Sequence, residues 1–85
     1  MRIIYTSRFA RSYKKLTSEL KNKAKGKELI FREDPFDNRL KTHKLNGNLG
    51  EFYSFSIDSK YRIIFEISKD NIYYFHLVGG HDIYE

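Results

Sequence analysis

The sequence predicts an α+β domain in the order β-α-α-β-β-β, with two helices packed on one face of a small, mainly antiparallel sheet. Three patterns carry this prediction: a short β-branched run at the start, apolar residues at helical spacing after it, and three strand-like runs in the second half. Because 85 residues leave room for one hydrophobic core only, we predict a single domain over residues 1–85.

The first half contains one short strand and two helices. RIIY (2–5) reads as the strand, and Thr6 or Ser7 can cap the first helix. The apolar positions at helical spacing are Phe9, Tyr13, Leu16 and Leu20. A second helix is predicted from about Ser18 or Leu20 to Arg32, burying Ala24, Leu29 or Ile30, and Phe31. It must end at Asp34-Pro35, because the residue before a proline avoids helical geometry.

The second half contains three strands at hairpin spacing, namely LGEFYSFSI (49–57), YRIIFEIS (61–68) and NIYYFHLV (71–78). In the middle run, Arg62 and Glu66 alternate with apolar residues, so both are expected on the sheet face away from the helices. The last run is apolar on both faces, which predicts an internal strand and favours His76 as a core histidine.

The charge is unevenly distributed along the chain. Sixteen Lys and Arg against eleven Asp and Glu give a net charge of +5. Residues 1–48 hold thirteen of the basic and five of the acidic residues, whereas residues 49–85 hold three and six. A basic half indicates a polyanion or an acidic protein partner. For the lysines of the second helix taken alone (21, 23, 25 and 27), a solvated helix face is the simpler interpretation.

Several chemistries are excluded by the composition. The chain has no cysteine, so it can form neither disulfides nor thiolates, which is compatible with the cytoplasm, where we expect it. No window is long and apolar enough for a signal peptide or a membrane span, so no membrane contact is expected. The sequence has no phosphate-binding glycine loop, and its three histidines lack metal-ligand spacing. We therefore expect no cofactor and no metal.

The remaining polar residues suit RNA cleavage without a metal. Such cleavage needs a deprotonated 2′-hydroxyl, charge neutralisation at the phosphate and a proton for the leaving 5′-oxygen. His81 can exchange protons near neutral pH, Arg62 can hold phosphate oxygens, and Tyr84 can stack on a base or donate a proton. Each has a structural alternative: an ion pair from Arg62 to Glu66 or Glu51, a turn at His81-Asp82, or simple packing of Tyr84.

A series of short motifs resembles the RelE/ParE toxin superfamily, and most of all the RelE-type and YafQ-type toxins of bacterial toxin–antitoxin modules. The motifs are FARSYKKL (9–16), DPF (34–36), LKTHKLNG (40–47), YSFSID (53–58), YRIIF (61–65) and GGHDIY (79–84). They cover nearly the whole chain in the family's order. The resemblance implies a helical pair on a small antiparallel sheet and a toxin that cleaves messenger RNA on the ribosome, which inhibits translation.

The resemblance also implies the site. Arg62 matches the family's catalytic arginine, His81 a catalytic His or Arg position, and Tyr84 the C-terminal aromatic residue that stacks or assists proton transfer. The basic residues of the preceding segment would contact the RNA backbone: Arg39, Lys41, His43 and Lys44. The general base stays open, because Arg39 stands where some relatives carry a glutamate. Glu51 and His43 are the candidates.

The resemblance leaves a second function open. RelE-type enzymes place lysines on the strand before the arginine, and residues 49–59 contain none. A ParE-like toxin would act without catalysis, by binding a protein such as DNA gyrase. Either toxin would be neutralised by a cognate antitoxin through an acidic amphipathic segment. Because the antitoxin would bind promoter DNA, no direct specific DNA binding is expected of this chain.

Overall fold

The structure, a computed structural model, describes residues 1–45 and 51–80. These residues form two helices and a five-stranded sheet in the order β1-β5-β4-β3-β2. The strands are β1 (Arg2–Tyr5), β2 (His43–Lys44), β3 (Phe52–Ser56), β4 (Arg62–Ser68) and β5 (Ile72–Gly79). The helices are α1 (Ser7–Lys14) and α2 (Ser18–Glu33), with short 3-10 turns at Asn38–Leu40 and Lys69–Asn71.

The predicted α+β class is confirmed. Strand β1 runs parallel to β5, and the other three strand pairs are antiparallel, so the sheet is mixed but mainly antiparallel. The sequence did not predict β2, which adds a fifth strand. Two polar residues, His43 and Lys44, have no apolar alternation, and they become a strand only because they pair with Ser54 and Tyr53 of β3.

Two threonines set the helix starts. The Thr6 hydroxyl accepts from the Phe9 backbone N–H at 3.1 Å, and the Thr17 hydroxyl accepts from Leu20 at 3.2 Å. Thr17 therefore separates the single predicted apolar series into two helices, and Leu16 lies in their connection. Helix α2 ends at Glu33, where Asp34 turns to an extended conformation before Pro35.

The core lies between the helices and one face of the sheet, and Phe31 of α2 is its centre. Its ring is fully buried and packs against Phe55, Phe65 and Phe75 with centroids 4.9–5.1 Å apart. The other buried apolar side chains of this cluster are Phe9, Ala24, Leu40, Ile57, Ile63 and Val78. Burial of Ala24 and Phe31 was predicted; of the adjacent pair, Leu29 is 68% exposed and Ile30 packs against the core.

His76 lies at a β-bulge on the sheet surface and not in the core. Ile64 pairs with Leu77 while its neighbour Phe65 pairs with Phe75, so His76 is an extra residue in β5 without a partner in the ladder. His76 follows the buried Phe75 and lies on the opposite face, the face away from the helices, which we call the outer face. The prediction of a core histidine was wrong, because a run that is apolar on both faces does not show which face the helices cover.

The outer face is only partly exposed. Its central residues Ser54, Ser56 and Ile64 are 0–7% exposed. Within residues 1–45 and 51–80, neither α1 nor α2 combines the length and apolar character that crossing a bilayer requires.

Candidate nucleic-acid interface

A basic cleft of about 310 Å³ lies where β3 and β4 meet, beside α2 and the segment that follows it. Four cationic side chains line this cleft, with one carboxylate and two hydroxyl groups among the other lining residues. The cations are Lys27, Arg39, Lys41 and Arg62, and the remaining lining residues are Ser56, Ile57, Asp58 and Ser59. A concave surface with this charge favours an anionic group such as a phosphate.

Arg62 is held at the inner wall of the basic cleft. As the first residue of β4 it pairs with Ser56 of β3 and Gly79 of β5, so the backbone beneath it belongs to the interior of the sheet. Its Nη1 donates to the Ser56 hydroxyl oxygen, and the side chain is half-buried. This contact fixes one edge of a guanidinium that has further N–H groups available for an anion.

The ion pairs considered for Arg62 are not formed. The Glu66 carboxylate lies 2.8 Å from His76 Nε2, and the Glu51 carboxylate lies 4.0 Å from Lys44 Nζ. Within the part of the chain that the structure describes, no carboxylate pairs with Arg62.

The segment between α2 and β2 carries Arg39 and Lys41 to the rim of the cleft. The Asp37 carboxylate caps a 3-10 turn by accepting from the Arg39 backbone N–H at 2.9 Å. Leu40, which is fully buried, anchors this turn in the core. Lys41 follows with φ 52°, a left-handed conformation that ends the turn. The Thr42 hydroxyl then donates to the Pro35 carbonyl and closes the loop.

Arg39 is already paired. Its Nε and Nη2 donate to both carboxylate oxygens of Asp37 at 3.0 Å. This side-chain pairing, with the backbone hydrogen bond, lowers the pKa of Asp37 to about 2. Much of the charge of Arg39 is therefore neutralised locally. Lys27 reaches the same rim from α2, where its Nζ donates to the Arg39 carbonyl at 3.3 Å.

The carboxylate of Asp58 stabilises the turn that forms part of the cleft wall. It accepts from the backbone N–H groups of Lys60 and Tyr61 at 2.9 and 2.8 Å, which shapes the β3–β4 turn. Burial by itself would raise the pKa of Asp58, but these two hydrogen bonds and the nearby Lys23 ammonium, 3.7 Å away, lower it overall. Asp58 therefore stays ionised at neutral pH, and its carboxylate is engaged by the two backbone N–H groups.

The other predicted residues of the described chain do not line the cleft. His43 is exposed on β2 opposite Ser54, and its Nδ1 lies 3.2 Å from the Lys41 carbonyl. Glu51 and Lys44 pair with each other at the far end of β3. Ser56 is five residue steps along the strand from Glu51, about 16 Å, so the structure does not bring Glu51 to Arg62.

Two of the three principal predicted catalytic residues, His81 and Tyr84, lie outside the described residues. Sequence reasoning also missed two members of the cleft. Lys27 was interpreted as part of a solvated helix face, and Ser56 was given no role in the site although its alternation with Phe55 and Ile57 indicates the same face as Arg62. Among the described residues, no group of three or more His, Asp or Glu side chains is arranged to hold a metal ion.

No protein-family model matches the sequence, and no curated protein matches it. Solved structures do match over almost the whole chain. YafQ from E. coli strain BL21(DE3) superposes with a TM-score of 0.80 at 18% identity, covering 99% of this chain and 98% of that one. This chain has the fold of the RelE/ParE toxins.

Further solved structures agree with this toxin fold. The YoeB/ParE toxin from Agrobacterium tumefaciens gives a TM-score of 0.80 at 16% identity, covering 95% of this chain and 99% of that one. YafQ in the E. coli DinJ-YafQ toxin-antitoxin complex gives 0.78 at 21% identity, covering 95% and 92%. The archaeal RelE-RelB complex from Pyrococcus horikoshii OT3 contains a chain with a TM-score of 0.74 at 17% identity, covering 93% and 92%.

Proposed function

We propose that this protein is the toxin of a type II toxin–antitoxin pair and that it cleaves messenger RNA on the ribosome, which inhibits translation. The toxin fold supports the first statement. The observation that carries the second is the basic cleft, in which Arg62 is fixed by Ser56 beside Lys27 and Lys41. A cleft of this size and charge fits a backbone phosphate.

In the proposed reaction the 2′-oxygen of one nucleotide attacks the adjacent phosphorus and loses its proton to a base. The bond from phosphorus to the 5′-oxygen breaks, and that oxygen takes a proton, which leaves a 2′,3′-cyclic phosphate and a 5′-hydroxyl end. Arg62 stabilises the extra negative charge on the phosphate in the transition state. Lys27 and Lys41 hold the neighbouring backbone.

Proton transfer in this proposal is assigned to histidine. His81 protonates the leaving oxygen, assisted by Tyr84, as the family resemblance implies. Of the two candidates for the base, His43 lies on the outer face with Arg62, whereas Glu51 pairs with Lys44 at the far end of β3. We therefore place His43 ahead of Glu51 as the group that receives the 2′-hydroxyl proton.

The test is inducible expression in a bacterium, followed by mapping of messenger RNA 5′ ends within minutes. We expect new ends inside coding frames that vanish in Arg62→Ala, since removing one such charge-stabilising donor costs about 10²–10³ in rate. Lys69→Ala is the matched control, because Lys69 is an exposed cation at the opposite end of β4. Growth arrest with intact transcripts would overturn the nuclease and favour a toxin that binds a protein such as DNA gyrase.

The partner that we propose is an antitoxin with an acidic amphipathic segment. A mostly apolar groove of about 510 Å³ runs between α1 and α2, with Tyr5, Phe9 and Tyr13 among its lining residues. Lys14, Lys21 and Lys25 also line it, against a single carboxylate from Glu28. Apolar rings flanked by lysines complement an amphipathic helix whose polar face is acidic.

Charge reversal tests this groove. Lys21→Glu with Lys25→Glu should weaken capture of the co-expressed antitoxin from the native operon, measured by co-purification and by loss of growth rescue. Lys60→Glu with Lys69→Glu carries the same net charge change at exposed positions away from the groove, and antitoxin binding should survive it. Equal loss in both double variants would show that net charge, and not this groove, governs the interaction.

A further inference from the structure

A second cluster lies on the outer face, beyond the basic cleft. It is centred on His76, whose Nε2 lies 2.8 Å from Glu66 Oε1. The Phe52 ring centroid is 5.2 Å from that of His76, and the Tyr74 ring stacks on His76 with a centroid distance of 6.1 Å. We call these four residues the His76 cluster. All four are half-buried, so each presents part of its side chain to solvent.

A β-bulge lies within the His76 cluster. His76 is two residues after Tyr74 and shares its face of β5, while the bulge leaves His76 without a ladder partner beside the pair of Glu66 and Tyr74, where the imidazole reaches Glu66 on β4. Bulges often re-aim a side chain next to a functional site. Because a carboxylate oxygen only accepts, Nε2 is the donor of this hydrogen bond, and the ring is held in one orientation.

The chemistry of the His76 cluster favours a nucleobase over a phosphate. A carboxylate repels phosphate, but it accepts hydrogen bonds from the exocyclic amino group of a base, as glutamate does from cytosine N4. The Glu66 carboxylate is 38% exposed, and one of its oxygens is engaged by His76. The flanking rings offer the stacking surfaces on which proteins hold unstacked RNA bases.

The His76 cluster is continuous with the basic cleft. Glu66 and Arg62 lie on the same face of β4, four residues apart, which is about 13 Å along the strand. One short single strand can therefore place a phosphate at Arg62 and a nearby base at the cluster. We propose that the His76 cluster is a base-recognition subsite for single-stranded RNA that selects a base with an exocyclic amino group. This inference rests on the proposed function, since it assumes that the basic cleft holds RNA.

The test measures binding of fluorescent RNA hexamers by anisotropy, with either cytosine or uracil at one scanned position. At the position that reaches the cluster, cytosine should bind more tightly, because uracil presents a carbonyl oxygen to Glu66 where cytosine presents a donor. Glu66→Gln should make the two bases equivalent, since an amide can both accept from cytosine and donate to uracil. Glu33→Gln, an exposed carboxylate of α2, is the matched control and should keep the preference.

Stacking is tested separately. Phe52→Ala should weaken binding of all hexamers about tenfold, as loss of one base-stacking ring does. Phe36 lies outside the His76 cluster and is 51% exposed, so Phe36→Ala should not change the affinity for RNA. Both variants are first compared with the wild type in thermal unfolding, so that a folding defect is not mistaken for a binding defect.

The outcomes separate this inference from the proposed function. If Arg62→Ala weakens binding but Phe52→Ala and Glu66→Gln change neither affinity nor base preference, the subsite is wrong and the cleft stands. If the wild type binds no RNA hexamer, the subsite is overturned, whereas the proposed function is decided by the mapping of messenger RNA ends in cells. If the cluster variants bind RNA normally but lose cleavage or antitoxin binding, the cluster serves proton transfer or the partner protein, and base recognition is rejected.

Discussion

Arg39 and Asp37 show how a single local pair changes the charge that the basic cleft offers. Their carboxylate and guanidinium meet in two hydrogen bonds of 3.0 Å, two residues apart in sequence. The free positive charge of the cleft therefore comes mainly from Lys27, Lys41 and Arg62. Whether Arg39 contributes to anion binding depends on whether this pair opens.

Asp37→Asn tests that dependence. Asparagine keeps the side-chain oxygen that caps the Arg39 backbone N–H, but it removes the negative charge and releases the guanidinium. We expect RNA to bind severalfold more tightly at low salt, with a smaller gain at high salt because screening weakens the added attraction. Unchanged affinity in a folded Asp37→Asn protein would mean that Arg39 does not face the bound RNA.

The pKa of Asp37 gives a direct measure of the same pair. In the folded protein it should titrate at about 2, against an ordinary value of 3.8, so pairing stabilises the fold above pH 3.8 and is lost as the pH falls through about 2. In Arg39→Ala the pKa should rise towards 3.8, because the largest cause of the shift is removed. Side-chain carboxyl chemical shifts followed by NMR between pH 1.5 and 6 would measure both values.

At the scale of elements, α1 completes the hydrogen bonding of β5 where β1 ends. The Ser12 hydroxyl donates to the Phe9 carbonyl at 3.0 Å and accepts from the Val78 backbone N–H at 3.1 Å. One turn earlier, the Thr6 backbone N–H donates to the Phe75 carbonyl at 3.1 Å. Helix α1 thus supplies hydrogen bonds to the end of β5 that a longer β1 would otherwise supply, and Gly79 of this strand end pairs with Arg62.

Ser12→Ala removes only one hydroxyl group, but we expect it to lower the free energy of unfolding clearly. It leaves the N–H of Val78, a residue that is 3% exposed, without its acceptor, and such an orphaned group costs about 1–3 kcal/mol. Urea unfolding followed by circular dichroism should show that loss in the free energy of unfolding. Ser7→Ala, at an exposed position of the same helix, should stay within about 0.5 kcal/mol of the wild type. Equal stability of the two variants would contradict the role given to Ser12.

At the scale of the whole molecule, one aromatic core holds the walls of the basic cleft in place. Phe31 of α2 contacts rings from β3, β4 and β5, so the helix that carries Lys27 is fixed to the strands that carry Ser56 and Arg62. A domain of 85 residues has a free energy of unfolding of roughly 4–13 kcal/mol. The loss of one large core ring can remove much of this free energy of unfolding.

Phe31→Ala should lower the free energy of unfolding by about 3–5 kcal/mol, because it removes the ring and leaves a cavity among four aromatic neighbours. Phe31→Leu keeps most of the apolar volume and should cost less. Guanidinium unfolding of both variants measures the difference. A variant of the exposed Phe36 provides the comparison, and Phe31→Ala behaving like Phe36→Ala would mean that the core is not organised around α2.

The sequence by itself determined the features that depend on neighbours along the chain. A cap at Thr6 or Ser7, the proline after Asp34, apolar spacing in the helices and alternation in β3 and β4 predicted the fold class and the order of both helices and four of the five strands. Alternation also predicted that Arg62 and Glu66 share a face of the sheet. These signals are local, because caps, turns and side-chain direction are set within a few residues.

The tertiary structure decided what depends on pairing between distant segments. The two-residue β2 exists only against β3, and the bulge at His76 appears only in the register between β4 and β5. Lys27 enters the basic cleft because Leu40 anchors the following segment beside α2. Register and docking are fixed by contacts between residues far apart in sequence, where the interaction of one segment with another outweighs the preference of either alone.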